Sequence, residues 1–192
     1  MSSNLFVRGT LPSGGVAIVG SRTPPPAAAA FAYELAFRIG EPVIAGLALG
    51  VDAAAHRGAL DAGVPTIAFV GYGFGRTYPP ENAELEAEIL RGGGAIATRV
   101  SSWTPVTDEA LIGRDRLQAE HARAVVLVCS EIDGGAMHTM AFARELGRPR
   151  YAVAPPVGAQ SLPQWAGNVA CIAGGATPLP FDVDAALVRL KG

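Results

Sequence analysis

The sequence predicts an α/β fold: a single domain with a mostly parallel sheet and helices on both faces. Short apolar runs alternate with longer amphipathic stretches, which is the pattern of consecutive βαβ units. The apolar runs lack polar alternation, as expected for strands that helices cover on both faces. The length of 192 residues suits one domain, and apolar and charged contents of 49% and 17% indicate a buried core.

The order of the elements follows from these runs. The predicted strands lie at residues 16–19, 42–45, 66–70, 95–98, 124–129 and 151–154. The predicted helices lie at residues 27–39, 51–62, 82–91, 109–121 and 136–146. The residues at the ends of these helices support the assignment. Pro26 is suited to a first helical turn, Asp52 to an N-cap and Gly40 to a helix end. We expect residues 1–15 to form an N-terminal arm, residues 155–175 to be irregular, and residues 182–192 to contain a short helix.

Composition narrows the classes of function. The net charge of −2 carries no nucleic-acid signature, so a basic site would have to be local. Cys129 and Cys171 form neither a disulfide framework nor a metal-ligand spacing, which predicts a reducing compartment and no metal. The start of the sequence has no signal-peptide pattern, and no apolar run is long enough to span a bilayer. We therefore expect a cytoplasmic protein without a membrane partner or a resident cofactor.

Five turns are predicted to lie at the carboxyl ends of the strands, where open parallel sheets bind ligands. Their letters are GSRTPPP, AGLALGVD, GYGFGRTYPPEN, TRVSSWTP and SEIDGGAMH. Three of them open helices, whose N–H groups attract anions, and the planar arginine guanidinium suits phosphate oxygens. We therefore predict a phosphate-bearing ligand at this edge. The candidate phosphate-binding residues are Gly20, Ser21, Arg22, Thr23, Gly46, Gly50, Arg76, Arg99, Arg114, Arg116, Gly134 and Gly135.

Several other side chains near these turns are candidate ligand contacts. Asp52 and His56 share a helix face and could pair, but a helix cap beside a packed histidine is the favoured interpretation. Trp103 could stack on a base or cover the edge of the core. The GYGFG letters are a weak dinucleotide motif because they run into Tyr-Pro-Pro instead of a helix. The candidate contacts are Asp52, His56, Tyr78, Asn82, Trp103 and His138.

A resemblance to a known family is carried by several motifs in order. They are VAIVGSRTPPP, AGLALGVDAAAHRGAL, GRTYPPEN, RDRLQAEHARAVVLV, GGAMHTMAFARELGRPRYAV and GNVACIAGGATPL. These segments resemble the Rossmann-like domain of the DprA/Smf family. The resemblance implies an extended Rossmann-like domain over residues 16–192 that binds single-stranded DNA in DNA processing, natural transformation or recombination. It also implies RecA as a partner and a homodimer, here without the family's N-terminal helical and C-terminal winged-helix domains.

The sequence departs from that family at several charged positions. The family's GLARG is GLALG here, which removes a cation at Leu49, and its RNR is Arg114-Asp115-Arg116, which adds an acid. The family's SGS is replaced by Gly134-Gly135-Ala136, and Arg99 stands where the family tends to have an acid. Together these changes alter the set of residues that the family would offer to backbone phosphates.

A related branch, the LOG-type phosphoribohydrolases, has the motif P-G-G-x-G-T-x-x-E. The segment DGGAMHTMAFARE resembles its glycines and threonine, but Phe142 replaces the glutamate and Glu145 lies one turn further on. Without an acid at that position we see no general acid–base catalyst, so a binding protein is favoured over an enzyme, and a LOG-like nucleotide hydrolase stays as the less favoured alternative.

Two functions of different classes remain. The first is a DprA-like protein that binds single-stranded DNA through the arginines and glycines of the predicted edge. The second is a pocket for a small nucleotide or a nucleotide-derived signal, in a sensor or a sequestering protein. The breadth of the resemblance favours the first, whereas the acidic balance and the loss of the cation at position 49 favour the second.

Overall fold

A computed structural model of the chain describes residues 4–191. The strands in this part are β1 Phe6–Gly9, β2 Val16–Val19, β3 Val43–Ala45, β4 Thr66–Phe69, β5 Ala95–Thr98, β6 Ala124–Leu127, β7 Arg150–Val153 and β8 Thr177–Leu179. The α-helices are α1 Pro26–Arg38, α2 Val51–Asp61, α3 Ala83–Arg91, α4 Asp108–His121, α5 Ala136–Glu145, α6 Ala166–Ala173 and α7 Val183–Lys191. Short 3-10 helices at Pro80–Asn82 and Pro163–Trp165 precede α3 and α6.

The strands form one sheet in the order β1-β5-β4-β3-β2-β6-β7-β8. All neighbouring pairs are parallel except β1 and β5, which run antiparallel with Phe6 opposite Thr98. The strand order reverses direction at β2, because the chain builds outward to β5 on one side and to β8 on the other. In parallel sheets a crevice opens at the carboxyl ends of the strands on either side of such a reversal. This crevice holds the candidate site.

Two helix layers cover the sheet, as the sequence predicts. On one face, α1, α2 and α7 pack against strand residues such as Val16 and Ile18, with Leu35 in the same cluster. On the other face, α4, α5 and α6 pack against the alternate residues, among them Val19, with Leu117 in that cluster. The α/β single-domain fold is therefore confirmed. Within residues 4–191 no helix is both long and apolar enough to cross a membrane.

Three elements lie where no helix or strand was expected, and the expectation that residues 155–175 are irregular is wrong. The predicted N-terminal arm contains β1, whose four residues are all exposed, so it carries no apolar run for a sequence pattern to detect. The stretch 155–175 contains α6, a helix of small residues that starts after a proline-led 3-10 turn. Strand β8 was also not predicted, because two of its three residues are exposed. Each of these elements exists through pairing or packing with neighbours rather than through its own periodicity.

Candidate functional site

A cavity of about 520 Å³ lies at the carboxyl ends of β2 and β6. Its walls are the β2–α1 loop, one face of α4, the β6–α5 loop and the first turn of α5. A smaller cavity of about 80 Å³ adjoins it beside the β3–α2 and β4–α3 loops. Arg22, Ala48, Leu111 and Arg114 line both cavities, so the two share a wall.

The β2–α1 loop is held rigidly at the cavity wall. The Ser21 N–H donates to Cys129 O (2.8 Å), and the Ser21 carbonyl accepts from the Val51 N–H (3.1 Å). The Ser21 hydroxyl oxygen accepts from the Thr23 N–H (3.1 Å). The three prolines that follow stiffen the entry into α1. Arg22 therefore projects from a fixed turn, and its side chain is exposed at the junction of the two cavities.

The β3–α2 loop has a different role from the predicted one. The Gly46 and Ala48 N–H groups both donate to Asp52 Oδ2, at 2.9 and 3.3 Å. Asn82 Nδ2 donates to Leu47 O (2.9 Å), and Leu47 has a φ of +59°. Since Asp52 already takes these backbone donors, they are not free for a ligand phosphate. The loop instead positions Asp52 at the cavity wall.

Arg114 lies beneath this loop as a buried ion-pair centre. Its Nη1 is 3.5 Å from Asp52 Oδ2, and its Nε is 3.2 Å from Asp115 Oδ1 without hydrogen-bond geometry. A Cβ at position 46 would overlap the guanidinium, so Gly46 is required by this close approach. Burial raises the pKa of Asp115 to about 6, against the opposing effect of Arg114. Burial also raises the pKa of Asp52, again opposed by Arg114.

Three of the five candidate arginines do not reach either cavity. Arg99 pairs with Glu120 at 3.1 Å. Arg116 pairs with Glu120 (3.1 Å) and with Glu145 (3.4 Å), and its guanidinium lies 5.3 Å from the centre of the Phe142 ring. Arg76 is exposed on the β4–α3 loop outside both cavities. Glu145 is therefore an ion-pair partner on the outer side of α5, away from the cavity lining.

The β6–α5 loop completes the main cavity. A Cβ at Gly134 would lie 2.3 Å from Ser130 Oγ, so a side chain there would displace that hydroxyl, and Gly135 precedes the first turn of α5. His138 lies in that turn with its ring exposed, and Thr139 behind it is buried. The Met137 and His138 N–H groups already donate to Gly134 O (2.9 Å) and Gly135 O (3.1 Å). Gly135 and Ala136 line the cavity at the N-terminus of α5, a position that favours an anion.

The remaining candidates have structural or peripheral positions. His56 is fully buried, with Nδ1 2.7 Å from Thr66 Oγ1, and burial lowers the pKa of its ring to about 3. Gly50 and Asn82 support the β3–α2 loop from outside the cavities. Tyr78 lines the smaller cavity, and Trp103 is exposed beyond it. The candidates that line the main cavity are Gly20, Ser21, Arg22, Thr23, Asp52, Arg114, Gly134, Gly135 and His138.

Helix α4 supplies a row of cavity residues that sequence reasoning missed. Asp108, Leu111, Ile112, Asp115 and Gln118 all line the main cavity. Their spacing of three and four residues marks one helix face, and this periodicity could have identified them once α4 was expected at the site. Two atoms at the base of this wall, Gln118 Oε1 and Thr139 Oγ1, are buried and have no hydrogen-bond partner within residues 4–191.

The charges around the main cavity are predominantly negative. Four carboxylates line it, those of Asp52, Asp108, Asp115 and Glu131, against the guanidiniums of Arg22 and Arg114. Arg114 is paired with two of these carboxylates, whereas Arg22 forms no ion pair within the described residues. Arg22 is thus the available cation for an anionic ligand.

Comparison with known proteins identifies the family. A sequence profile described as DNA recombination-mediator protein A matches residues 2–190. A DprA-named protein of Mycobacterium tuberculosis is 36% identical over 144 residues, which make up 73% of this chain and 37% of that protein. The chain thus spans little more than a third of this relative.

Two solved structures share the fold. DNA processing protein A from Streptococcus pneumoniae matches with a TM-score of 0.84 and 26% identity, over 96% of this chain and 65% of that one. DNA processing protein A from Helicobacter pylori, a structure described by its single-stranded DNA binding mode, matches with a TM-score of 0.84 and 22% identity, over 97% and 86%. From the profile, the sequence relative and the shared fold together, this chain belongs to the DprA/Smf family, described as DNA recombination-mediator protein A.

Proposed function

We propose that this protein binds single-stranded DNA in DNA processing, and that a backbone phosphate is held in the main cavity. Arg22 would bind the phosphate from the β2–α1 loop. The N–H groups of Gly135 and Ala136, at the start of α5, would bind it from the opposite wall. Family membership and the single-stranded DNA described for the Helicobacter pylori relative support this ligand class.

Arg22 supports the proposal through its position at both cavities and its lack of an ion pair within residues 4–191. It projects from a rigid turn into both cavities, and no carboxylate in residues 4–191 neutralises it. Because the backbone of this turn is already fixed, phosphate binding orders only the Arg22 side chain, and its planar fork matches two phosphate oxygens. The buried Arg114 is already paired, so its role is to hold the cavity wall.

Titration of labelled oligo-dT at several salt concentrations tests this proposal. Arg22→Ala should weaken binding by about 1.5–3 kcal/mol, the range for a hydrogen bond to a charged group. It should also reduce the log–log salt slope by about 0.7, the share of one single-strand phosphate contact. Folding should be nearly unchanged because the side chain is exposed.

Arg57→Ala is the matched control, since Arg57 is an exposed arginine of α2 that lines neither cavity. It should bind like wild type at low salt. Equal affinities of Arg22→Ala, Arg57→Ala and wild type at every salt concentration would contradict the proposal.

A second candidate function is supported by the acidic lining. Four carboxylates around a cavity of about 520 Å³ oppose a polyanion more than a compact ligand with one phosphate. A small nucleotide or nucleotide-derived signal would then occupy the same residues. Native mass spectrometry of the purified protein separates the two, because a co-purified nucleotide supports this candidate and an empty protein that binds oligo-dT supports the first.

Neither candidate includes a reaction. Phe142, at the position of the motif's glutamate, and Glu145, one turn further on, both lie outside the cavity lining, and Glu145 is paired with Arg116. RecA and a second copy of this chain are the partners that family membership suggests for the DNA-bound protein. Co-precipitation with RecA in the presence and absence of oligo-dT tests the first of these.

A further inference from the structure

One tryptophan is displayed to solvent in a conformation that costs energy. Trp103, in the β5–α4 loop, is 78% exposed and has a φ of +66°. Bulky L-residues rarely adopt this left-handed region, and strained residues of this kind cluster at ligand contacts. The other tryptophan, Trp165, is 3% exposed and packs in the core. The strain at Trp103 therefore does not serve core packing.

The surrounding loops fix the position of the indole ring. The Trp103 N–H donates to Phe74 O (3.2 Å), and the Ser101 and Thr104 hydroxyls lie 2.9 Å apart across the turn. A Cβ at Gly75 would lie 3.1 Å from the ring, so the glycine allows the indole to rest on the β4–α3 loop. One face of the ring thus has a fixed support, and the large exposed fraction leaves the opposite face open.

Gly75, on which the Trp103 ring rests, belongs to the β4–α3 loop, which also lines the smaller cavity. Gly71, Tyr72 and Tyr78 contribute to that cavity, and Gly75 lies between them in the chain. Three residues span at most about 11 Å, so Gly75 is within that distance of Tyr78. Trp103 therefore lies near the smaller cavity without lining either cavity.

The charges on the two sides of the main cavity differ. Glu131 and Asp133 are exposed on the β6–α5 loop, and Asp108 and Glu131 line the cavity itself. Residues 71–80 and 100–107 contain Arg76 and no carboxylate, and the exposed carboxylates of Glu81, Asp108 and Glu109 follow directly after them. The Trp103 side therefore offers a cation, Arg76, to the phosphates of a polyanion, whereas the β6–α5 loop (residues 128–135) contains none.

We propose that a DNA strand bound at the cavity continues across the β4–α3 and β5–α4 loops, where Trp103 stacks on one of its bases and Arg76 lies beside its backbone. This inference rests on the proposed function. Every base has a π-face, so the contact is tolerant of sequence. The strained, rigid display of the ring reduces the conformational entropy lost when a base stacks on it.

Oligo-dT of 20 nucleotides and thymidine monophosphate, bound to wild type and variants, test the inference. Trp103→Ala should weaken the oligonucleotide about five- to 150-fold, the range for one lost base stack. Its salt slope should equal that of wild type, because stacking releases no counterions. Its affinity for thymidine monophosphate should be unchanged, since the cavity remains intact. Trp103→Phe should recover most of the lost affinity because it retains an aromatic face.

Intrinsic fluorescence gives an independent readout. The oligonucleotide should quench the emission of wild type, and the quenching should disappear in Trp103→Phe, where the buried Trp165 is the remaining tryptophan. Phe37→Ala is the matched control, because Phe37 is an aromatic residue, 42% exposed near the end of α1, that lines neither cavity. It should bind both ligands like wild type.

The outcomes separate this inference from the proposed function. Trp103→Ala with wild-type affinity for the oligonucleotide, or wild type without quenching, overturns the inference if Arg22→Ala still loses binding. The proposed function then stands. A wild type that binds no oligonucleotide at any salt concentration overturns the proposed function, and the inference with it.

Discussion

Asp115 is the residue at which this chain departs most from the phosphate site that the sequence suggested. It adds a buried carboxylate to a wall that already holds Asp52, and Arg114 has to pair with both. Gln118 Nε2 donates to Asp115 Oδ1 at 3.1 Å, which fixes the carboxyl from the same helix. The cost of burying this charge should be visible in the stability of the protein.

Asp115→Asn should stabilise the protein at pH 7 and have little effect at pH 4. The pKa of Asp115 is raised from 3.8 to about 6 in the folded state, so the native state binds the proton more tightly than the unfolded chain. Its contribution to the unfolding free energy is therefore most favourable below pH 4 and is lost as the pH rises to about 6, a change of up to about 3 kcal/mol.

Urea unfolding of both proteins between pH 4 and pH 8 measures this difference. Asp108→Asn is the control, because Asp108 lies on the same helix with an exposed side chain. A difference between wild type and Asp115→Asn that stays constant across this range would show that the carboxyl carries no such penalty.

Helix α6 shows how an element outside the cavity shapes it. Asn168 is fully buried in α6, and its Oδ1 accepts from the Ser130 N–H at 2.9 Å. Its Nδ2 donates to the carbonyls of Val128 (3.0 Å) and Val153 (2.9 Å). One side chain therefore ties the ends of β6 and β7 together and fixes the start of the β6–α5 loop at the cavity.

Asn168→Ala should lower the unfolding free energy by about 2–5 kcal/mol, because it leaves several buried backbone groups without partners. Chemical denaturation measures the loss. Val169→Ala is a suitable comparison, since Val169 is the next residue and 41% exposed, and its substitution should change stability far less. Similar losses for the two variants would mean that the Asn168 hydrogen bonds contribute little.

At the scale of the whole molecule, the expected homodimer requires an exposed apolar surface at which two copies can pair. Apolar residues are frequent in residues 124–132, 148–157 and 181–192. The first of these stretches offers no pairing surface, because β6 lies inside the sheet and Val125–Leu127 are fully buried. We propose the outer strand β8 and helix α7, where Val188 is 74% exposed, as the surface through which two copies would pair.

Light scattering at high micromolar concentration should give twice the chain mass of 19.7 kDa. Val188→Glu should shift the protein toward the monomer, because a charge at a paired apolar surface is costly. Val157→Glu, at a fully exposed loop position, should leave the mass unchanged. A monomeric wild type would reject the dimer.

The sequence by itself determined the central architecture of this protein. Runs such as Val16–Val19 are apolar on both faces, so they predict buried parallel strands wherever they lie in the chain. The parallel arrangement then places the turns after these strands at one edge, which is why Ser21, Arg22 and Gly134 could be assigned to a common site. Hydrophobic periodicity and turn chemistry are local properties, and a sequence carries them directly.

Tertiary structure alone decided which charges are available to a ligand. Arg22 and Arg116 have the same side chain, but Arg116 lies between Glu120 and Glu145, whereas Arg22 faces the cavities. The Gly46 N–H was expected to bind phosphate and instead donates to Asp52. Ion pairs and hydrogen bonds between residues distant in sequence depend on how the elements pack, and no local pattern encodes them. For the same reason the exposed strand β1 and the small-residue helix α6 became visible only in the folded chain.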